Sequence, residues 1–237
     1  MKLAELSFAC YVYSNMTGYD KSYTRFLDAT TRPRFDLDQP QHQKALLKWL
    51  NAWGCRQFAL AHHKLAAKEI WEWFRASDPK MFSTDLTLLS LSDKDLMVVE
   101  QAFDQLAART ASLKRRKKGR EYPVEIGPTG ASKILFALRP LSLIPWDDAI
   151  RKQFKSDGSG RSYVDYLRRA KDDLRELEQD CERNGYKLAD LPSLLGRPNP
   201  SLVKLVGEYY WVTVSGDCPF PSERDIKLWT TVVATQS

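Results

Sequence analysis

"IGPTGASKILFALRPLSLIPWDDAIRKQF", Ile126 to Phe154, sets two glycines ahead of an apolar run and a pair of carboxylates behind it. Gly127 and Gly130 read as a turn, and "SKILFALR" continues as a helix that stops at Pro140. A tight glycine turn opening a helix exposes backbone N–H groups at the positive end of the helix dipole, a ready site for an anion such as phosphate. After "LSLI", Pro145 and Trp146 lead into "DDAIRKQF", which puts Asp147 at the N-cap or in the first turn of another helix. A carboxylate there either caps the helix, a very common role, or is presented to a ligand.

Helical periodicity extends from this stretch in both directions. Upstream, "QKALLKWLNAWG" aligns Leu46, Leu47, Leu50 and Trp53 on one stripe before a stop at Gly54. "RQFALAHHKLAAKEIWEWFRASDP" follows as a helix with Phe58, Leu65, Ile70, Trp73 and Phe74 as its apolar positions. "LSDKDLMVVEQAFDQLAARTASL" is a third, with Ser92 as N-cap and Asp95 three residues on as a variant of the capping box. Downstream, "YVDYLRRAKDDLRELEQDCERNG" keeps Tyr163, Tyr166, Leu167, Leu174, Leu177 and Cys181 on one face, and Gly185 supplies the stop. "PSLVKLVGEYYWVTVSG" and "SERDIKLWTTVVA" close the chain as helices, with a strand as the alternative for Tyr209 to Val214. The expected fold class is mainly α, as one helical domain over residues 1–237. Its variant is two helical lobes, residues 1–113 with the C-terminal helices and residues 121–195. No βαβ alternation, phosphate-loop signature or dinucleotide fingerprint occurs, which argues against a nucleotide-binding α/β fold.

A hydrophobic fraction of 43% and a charged fraction of 28% are ordinary for a soluble globular protein. The net charge of +6 is concentrated in "KRRKKGR", where Lys114, Arg115, Arg116, Lys117, Lys118 and Arg120 surround a single glycine. Such a run attracts polyanions by counterion release, so nucleic acid is the first partner to consider, against a solvated loop with no partner. Cys10, Cys55, Cys181 and Cys218 are scattered with no C-x-x-C pair, as expected in a reducing cytoplasm. His42, His62 and His63 lack metal-ligand spacing, so no metal is expected. Neither a signal peptide nor an apolar run of membrane length occurs, and a cytoplasmic protein with no membrane partner is expected.

The order of parts is specific: a glycine turn, a helix, a short loop, then Pro145 and Asp147 with Ile150 and Lys152 behind. It resembles the helix-hairpin-helix superfamily of DNA glycosylases over roughly thirty of the 237 residues. "FALR" followed by "PWDDAIRKQF" is most similar to the alkylation-repair branch, the 3-methyladenine DNA glycosylase II type. The resemblance implies a helical domain with a helix-hairpin-helix DNA-binding motif, working without a cofactor, as a monomer, on double-stranded DNA with one base extruded. Asp147 is then the catalytic residue, with Asp148 beside it a capping or surface group. Gly127, Thr129, Gly130 and Ser132 form the hairpin against a DNA phosphate, and Lys114–Arg120 grips the flanking strand. Trp146 is the candidate for base pocket or wedge, with ordinary core packing as the other reading.

Two departures shape the expected chemistry. The family hairpin usually reads L-P-G-[IV]-G, and here it reads "IGPTG". Bifunctional members carry a nucleophilic lysine two residues after the second hairpin glycine, a position held here by Ser132, with Lys133 one residue late. A helix turns by roughly 100° per residue, so that slip re-aims the side chain. The expectation is a monofunctional enzyme that leaves an abasic site, with Lys133 as a phosphate contact or the alternative nucleophile. Its substrate would be a damaged or otherwise modified base, in repair or in defence against DNA with hypermodified bases. Two other readings stand beside it: a non-catalytic helix-hairpin-helix module that binds nucleic acid, and a helical interaction or toxin-type domain in which Asp147 is only a cap.

Overall fold

Apolar stripes at helical spacing fold here into a mainly α architecture. The computed structural model describes residues 1–30, 35–77, 86–115, 119–197, 201–218, 220–222 and 224. In chain order come α1 (Leu3–Met16), α2 (Tyr19–Thr30), α3 (Pro40–Ala52), α4 (His63–Ala76) and α5 (Asp93–Ala107). Two short strands follow, β1 (Thr110–Arg115) and β2 (Glu121–Glu125), and then α6 (Gly127–Leu138) and α7 (Asp148–Gln153). The described chain closes with α8 (Gly160–Arg183), α9 (Leu191–Leu194) and α10 (Leu202–Tyr210). Most buried apolar side chains, from Leu6 to Tyr210, join one hydrophobic cluster.

Several boundaries follow the local chemistry expected of them. Ser92 and Asp95 form the reciprocal capping box of α5, with Ser92 N–H donating to Asp95 Oδ2 at 2.8 Å. The Ser92 hydroxyl and N–H hold the Asp95 carboxyl below the usual carboxylate range. Gly54 and Gly185 take left-handed φ values of +79° and +77° just past α3 and α8, where a Cβ would be strained. α8 buries Tyr163, Tyr166, Leu167, Leu174, Leu177 and Cys181 along one face, and each fully buried large side chain is worth about 1.5–3 kcal/mol.

Three expectations change. α5 ends at Ala107, and Thr110–Arg115, read as the tail of that helix and the start of the basic run, is a strand. It pairs antiparallel with β2, Leu113 opposite Pro123 and Lys114 opposite Tyr122, because the buried Ala111 and Ser112 need hydrogen-bonded backbone beside α4. The segment leading into the glycine turn is therefore a strand, where a helix-hairpin-helix would place a helix. Arg56–His62 forms turns and a short 3-10 helix, so α4 starts only at His63. Tyr209–Val214 keeps the expected helical form and not the alternative strand, α10 passing into a π-helical turn, Trp211–Ser215. Of residues 222–234, expected as a closing helix, all but Ser222 and Arg224 lie outside the described residues.

α6 and the loop behind it position the site. From Gly130 to Leu138 every residue of α6 is buried, and it packs on α5 and α3. Gly127 has φ +66°, the left-handed conformation that lets β2 turn directly into the helix. Gly130 is needed for space: a Cβ there would lie 2.8 Å from both Gln57 Nε2 and Ile126 Cγ2. Gln57 Nε2 also donates to the Ile126 carbonyl at 2.7 Å, fixing the turn against the end of α3. The Leu143–Trp146 loop is tied to α8, because Tyr163 Oη donates to the Ile144 carbonyl at 2.9 Å and Tyr166 Oη to that of Pro145 at 3.4 Å.

Candidate active site

The end of that loop opens into a cavity of about 410 Å³. Aromatic rings from widely separated parts of the chain line it. Tyr13 of α1 and Tyr19 of α2 meet Trp211 edge-on at centroid distances of 5.4 and 5.7 Å, and Trp53 at the end of α3 lies 6.2 Å from Tyr19. Such rings offer flat, apolar faces for a flat ligand. Asp147 and Thr129 also line the cavity, as do Lys133, Lys204 and Glu208.

Asp147 is the N-cap of α7, and its Oδ1 accepts the Ile150 N–H at 2.9 Å. The capping role read from the sequence is therefore real. It uses only one carboxylate oxygen; Oδ2 accepts the Ser215 hydroxyl at 2.6 Å. The side chain is half-buried and lines the cavity. Asp148 is exposed and paired with Arg151 and Lys152, each at 2.6 Å. The Lys152 ammonium holds its carboxyl below the usual range. Both acids border the cavity, but Asp148 is already neutralised by its own helix.

Lys133 lies in the same cavity as Asp147. Its one-residue offset does not turn it away. It is 7% exposed, its ammonium donates to the Trp53 carbonyl at 2.6 Å and sits 5.8 Å from the centre of the Trp53 ring. Burial raises the Cys55 thiol pKa, and the neighbouring Lys133 ammonium opposes that shift. Ser132, expected against DNA, is fully buried, its hydroxyl bonding the Thr129 carbonyl at 3.1 Å and accepting the Trp146 N–H at 3.2 Å. It bolts α6 to the Pro145–Asp147 loop and cannot reach a phosphate. Trp146 is 1% exposed, packs on Phe103, Tyr163 and Tyr166, and donates from Nε1 to the Pro128 carbonyl. It is a core residue with one edge on the cavity, and an exposed wedge is ruled out by its burial. Gly130 is buried too, while Gly127 and Thr129 stay partly accessible.

A buried ion network forms the other side of the cavity. Lys204 is 2% and Glu208 1% exposed, one helical turn apart on α10. Lys204 Nζ also donates to Asp20 at 2.9 Å, and Arg197 bridges Glu208 at 2.7 Å and Asp20 at 2.6 Å. The Lys204 ammonium lies 4.5 Å from the Tyr13 ring centre, a cation–π contact. Two cations and two carboxylates compensate one another, as burial of charge demands. Burial and the Glu208 carboxylate together push the Cys10 thiol and Tyr13 phenol well up. Sequence reading missed this network and the aromatic wall. One local signal exists, a lysine and a glutamate four apart inside the apolar "SLVKLVGEYYW"; nothing local marks Tyr13 or Tyr19.

Of the basic run, Lys114 and Arg115 end β1 and Arg120 directly precedes β2, whose last residue lies two before Gly127. Lys114, Arg115 and Arg120 are exposed, with Arg115 bonded to Glu121 at 2.9 Å. Arg116, Lys117 and Lys118 lie outside the described residues. Among the described residues there is no group of His, Cys, Asp and Glu side chains that could hold a metal ion, and no helix long and apolar enough to cross a membrane. No protein-family model, curated protein or solved structure matches the chain. The chemistry of the pocket therefore carries the functional reading.

Proposed function

We propose that the chain is a monofunctional DNA glycosylase that hydrolyses the N-glycosidic bond of a damaged or modified base and leaves an abasic site. The observation that carries this reading is the Asp147 carboxylate, held by Ile150 and Ser215 beside a cavity walled by Tyr13, Tyr19, Trp53 and Trp211. A base removed by an enzyme must first leave the stack and enter a pocket that holds its flat ring. Cleavage then builds positive charge on the sugar, which a fixed carboxylate stabilises. Asp147 would face that sugar, and would orient or deprotonate the attacking water. The Gly127 and Thr129 N–H groups at the start of α6, on either side of Pro128, would take a DNA phosphate, in the manner of a helix-hairpin-helix whose first arm is here a β-hairpin. Lys114 and Arg120 on that hairpin would follow the flanking strand.

Lys133 supports the monofunctional form, since its ammonium is engaged with the Trp53 carbonyl and ring. The test is a set of duplexes carrying one alkylated, one oxidised, one deaminated and one hypermodified base, each treated with alkali after incubation. Alkali-dependent breaks at the modified position in at least one duplex are expected. Salt-sensitive binding with no breaks in any would instead favour a non-catalytic binding module.

A further inference from the structure

Ser215 reaches Asp147 across 68 positions of sequence, from the last residue of the π-helical turn that follows α10. The Ile150 bond to Oδ1 is local and arises wherever an aspartate caps a helix. The Ser215 bond to Oδ2 is different, because it ties the carboxylate to another element of the fold. That element also carries Trp211, whose ring packs on Tyr13 and Tyr19 in the pocket wall. The turn is closed by the Gly216 N–H donating to the Trp211 carbonyl at 2.7 Å and the Cys218 N–H to that of Val212 at 3.1 Å.

We infer that Ser215 is a positioning residue for the base-excision reaction: its hydroxyl fixes Asp147 Oδ2, so that one turn of backbone sets both the carboxylate and the Trp211 wall of the pocket. This rests on the glycosylase reading. With one donor on each oxygen, the plane of the carboxylate is fixed from two directions; without Ser215 it can pivot about the bond to Ile150. A misplacement of about 1 Å at a reacting group is enough to cost about a hundredfold in rate. Ser215 is partly buried and lies outside the cavity lining, so it acts through Asp147 and not on the ligand.

The experiment compares the full-length wild type, Ser215→Ala, Ser215→Thr and Asp147→Asn on whichever duplex of the set above the wild type cleaves fastest. Ser215→Ala should slow single-turnover base release by about ten- to a hundredfold, with affinity for an abasic-analogue duplex changed by no more than about twofold. Ser215→Thr keeps the hydroxyl and should recover most of the rate. Ser215→Ala as fast as the wild type, or Ser215→Thr no faster than Ser215→Ala, overturns the inference while the glycosylase reading stands. No base release by the wild type from any duplex overturns both.

Discussion

Asp147 and Asp148 share a sequence neighbourhood and differ in what their oxygens touch. Asp147 accepts one bond from its own helix and one from Ser215, whereas Asp148 is closed off by Arg151 and Lys152. The place of Asp147 at the start of a helix, with Asp148 one residue on, was legible from the order Pro145, Trp146, Asp147 and from the residues that follow. The position of Lys133 was not, because counting residues from Gly130 gives a direction around α6 but not which neighbours the long side chain reaches. With its ammonium on the Trp53 carbonyl, borohydride should trap no covalent adduct between wild-type protein and DNA. An adduct that disappears in Lys133→Ala would make Lys133 the nucleophile. The buried network gives a stability prediction. Replacing Lys204 by Met leaves Glu208, 1% exposed, with Arg197 as its remaining cation, and should destabilise the fold by about 1.5–3 kcal/mol in urea unfolding. A loss below about 1 kcal/mol would mean that the network contributes no more than a surface pair.

Elements were legible where a stripe was long and its ends carried a cap. α8 and α5 are the clearest cases, with Ser92–Asp95 and Gly185 marking ends that the structure keeps. β1 was not legible, since Thr110–Arg115 is too short for its period to separate strand from helix. Its pairing with β2 is what makes it a strand. Gly160 shows how tightly two of the helices meet. A Cβ there would lie 2.2 Å from the Glu100 carbonyl on α5, and the Gly160 N–H donates to Asp104 at 2.6 Å. Gly160→Ala must push α8 off α5 and should destabilise by about 1–3 kcal/mol or more in chemical denaturation. An unchanged midpoint would contradict this packing.

At the scale of the whole molecule the pocket joins residues that the sequence keeps far apart. Asp20 and Lys204, or Tyr13 and Trp211, meet only when α1, α2 and α10 pack together, and no local pattern announces such meetings. Charge, by contrast, was legible at this scale, because the excess behind the net +6 is concentrated in one run. If that hairpin grips DNA, the Lys114→Ala, Arg120→Ala double variant should lower the slope of log affinity against log salt by about 2, with little effect from Arg115, already paired with Glu121. An unchanged slope would remove the hairpin from the interface. The most direct test of the proposed activity is a single comparison on a cleavable modified-base duplex. Single-turnover base release and abasic-duplex binding are measured side by side for the wild type and Asp147→Asn. Release slower by about 10²–10³-fold or more with binding retained is the expected result; release by Asp147→Asn at the wild-type rate would contradict a catalytic Asp147 and leave it a helix cap.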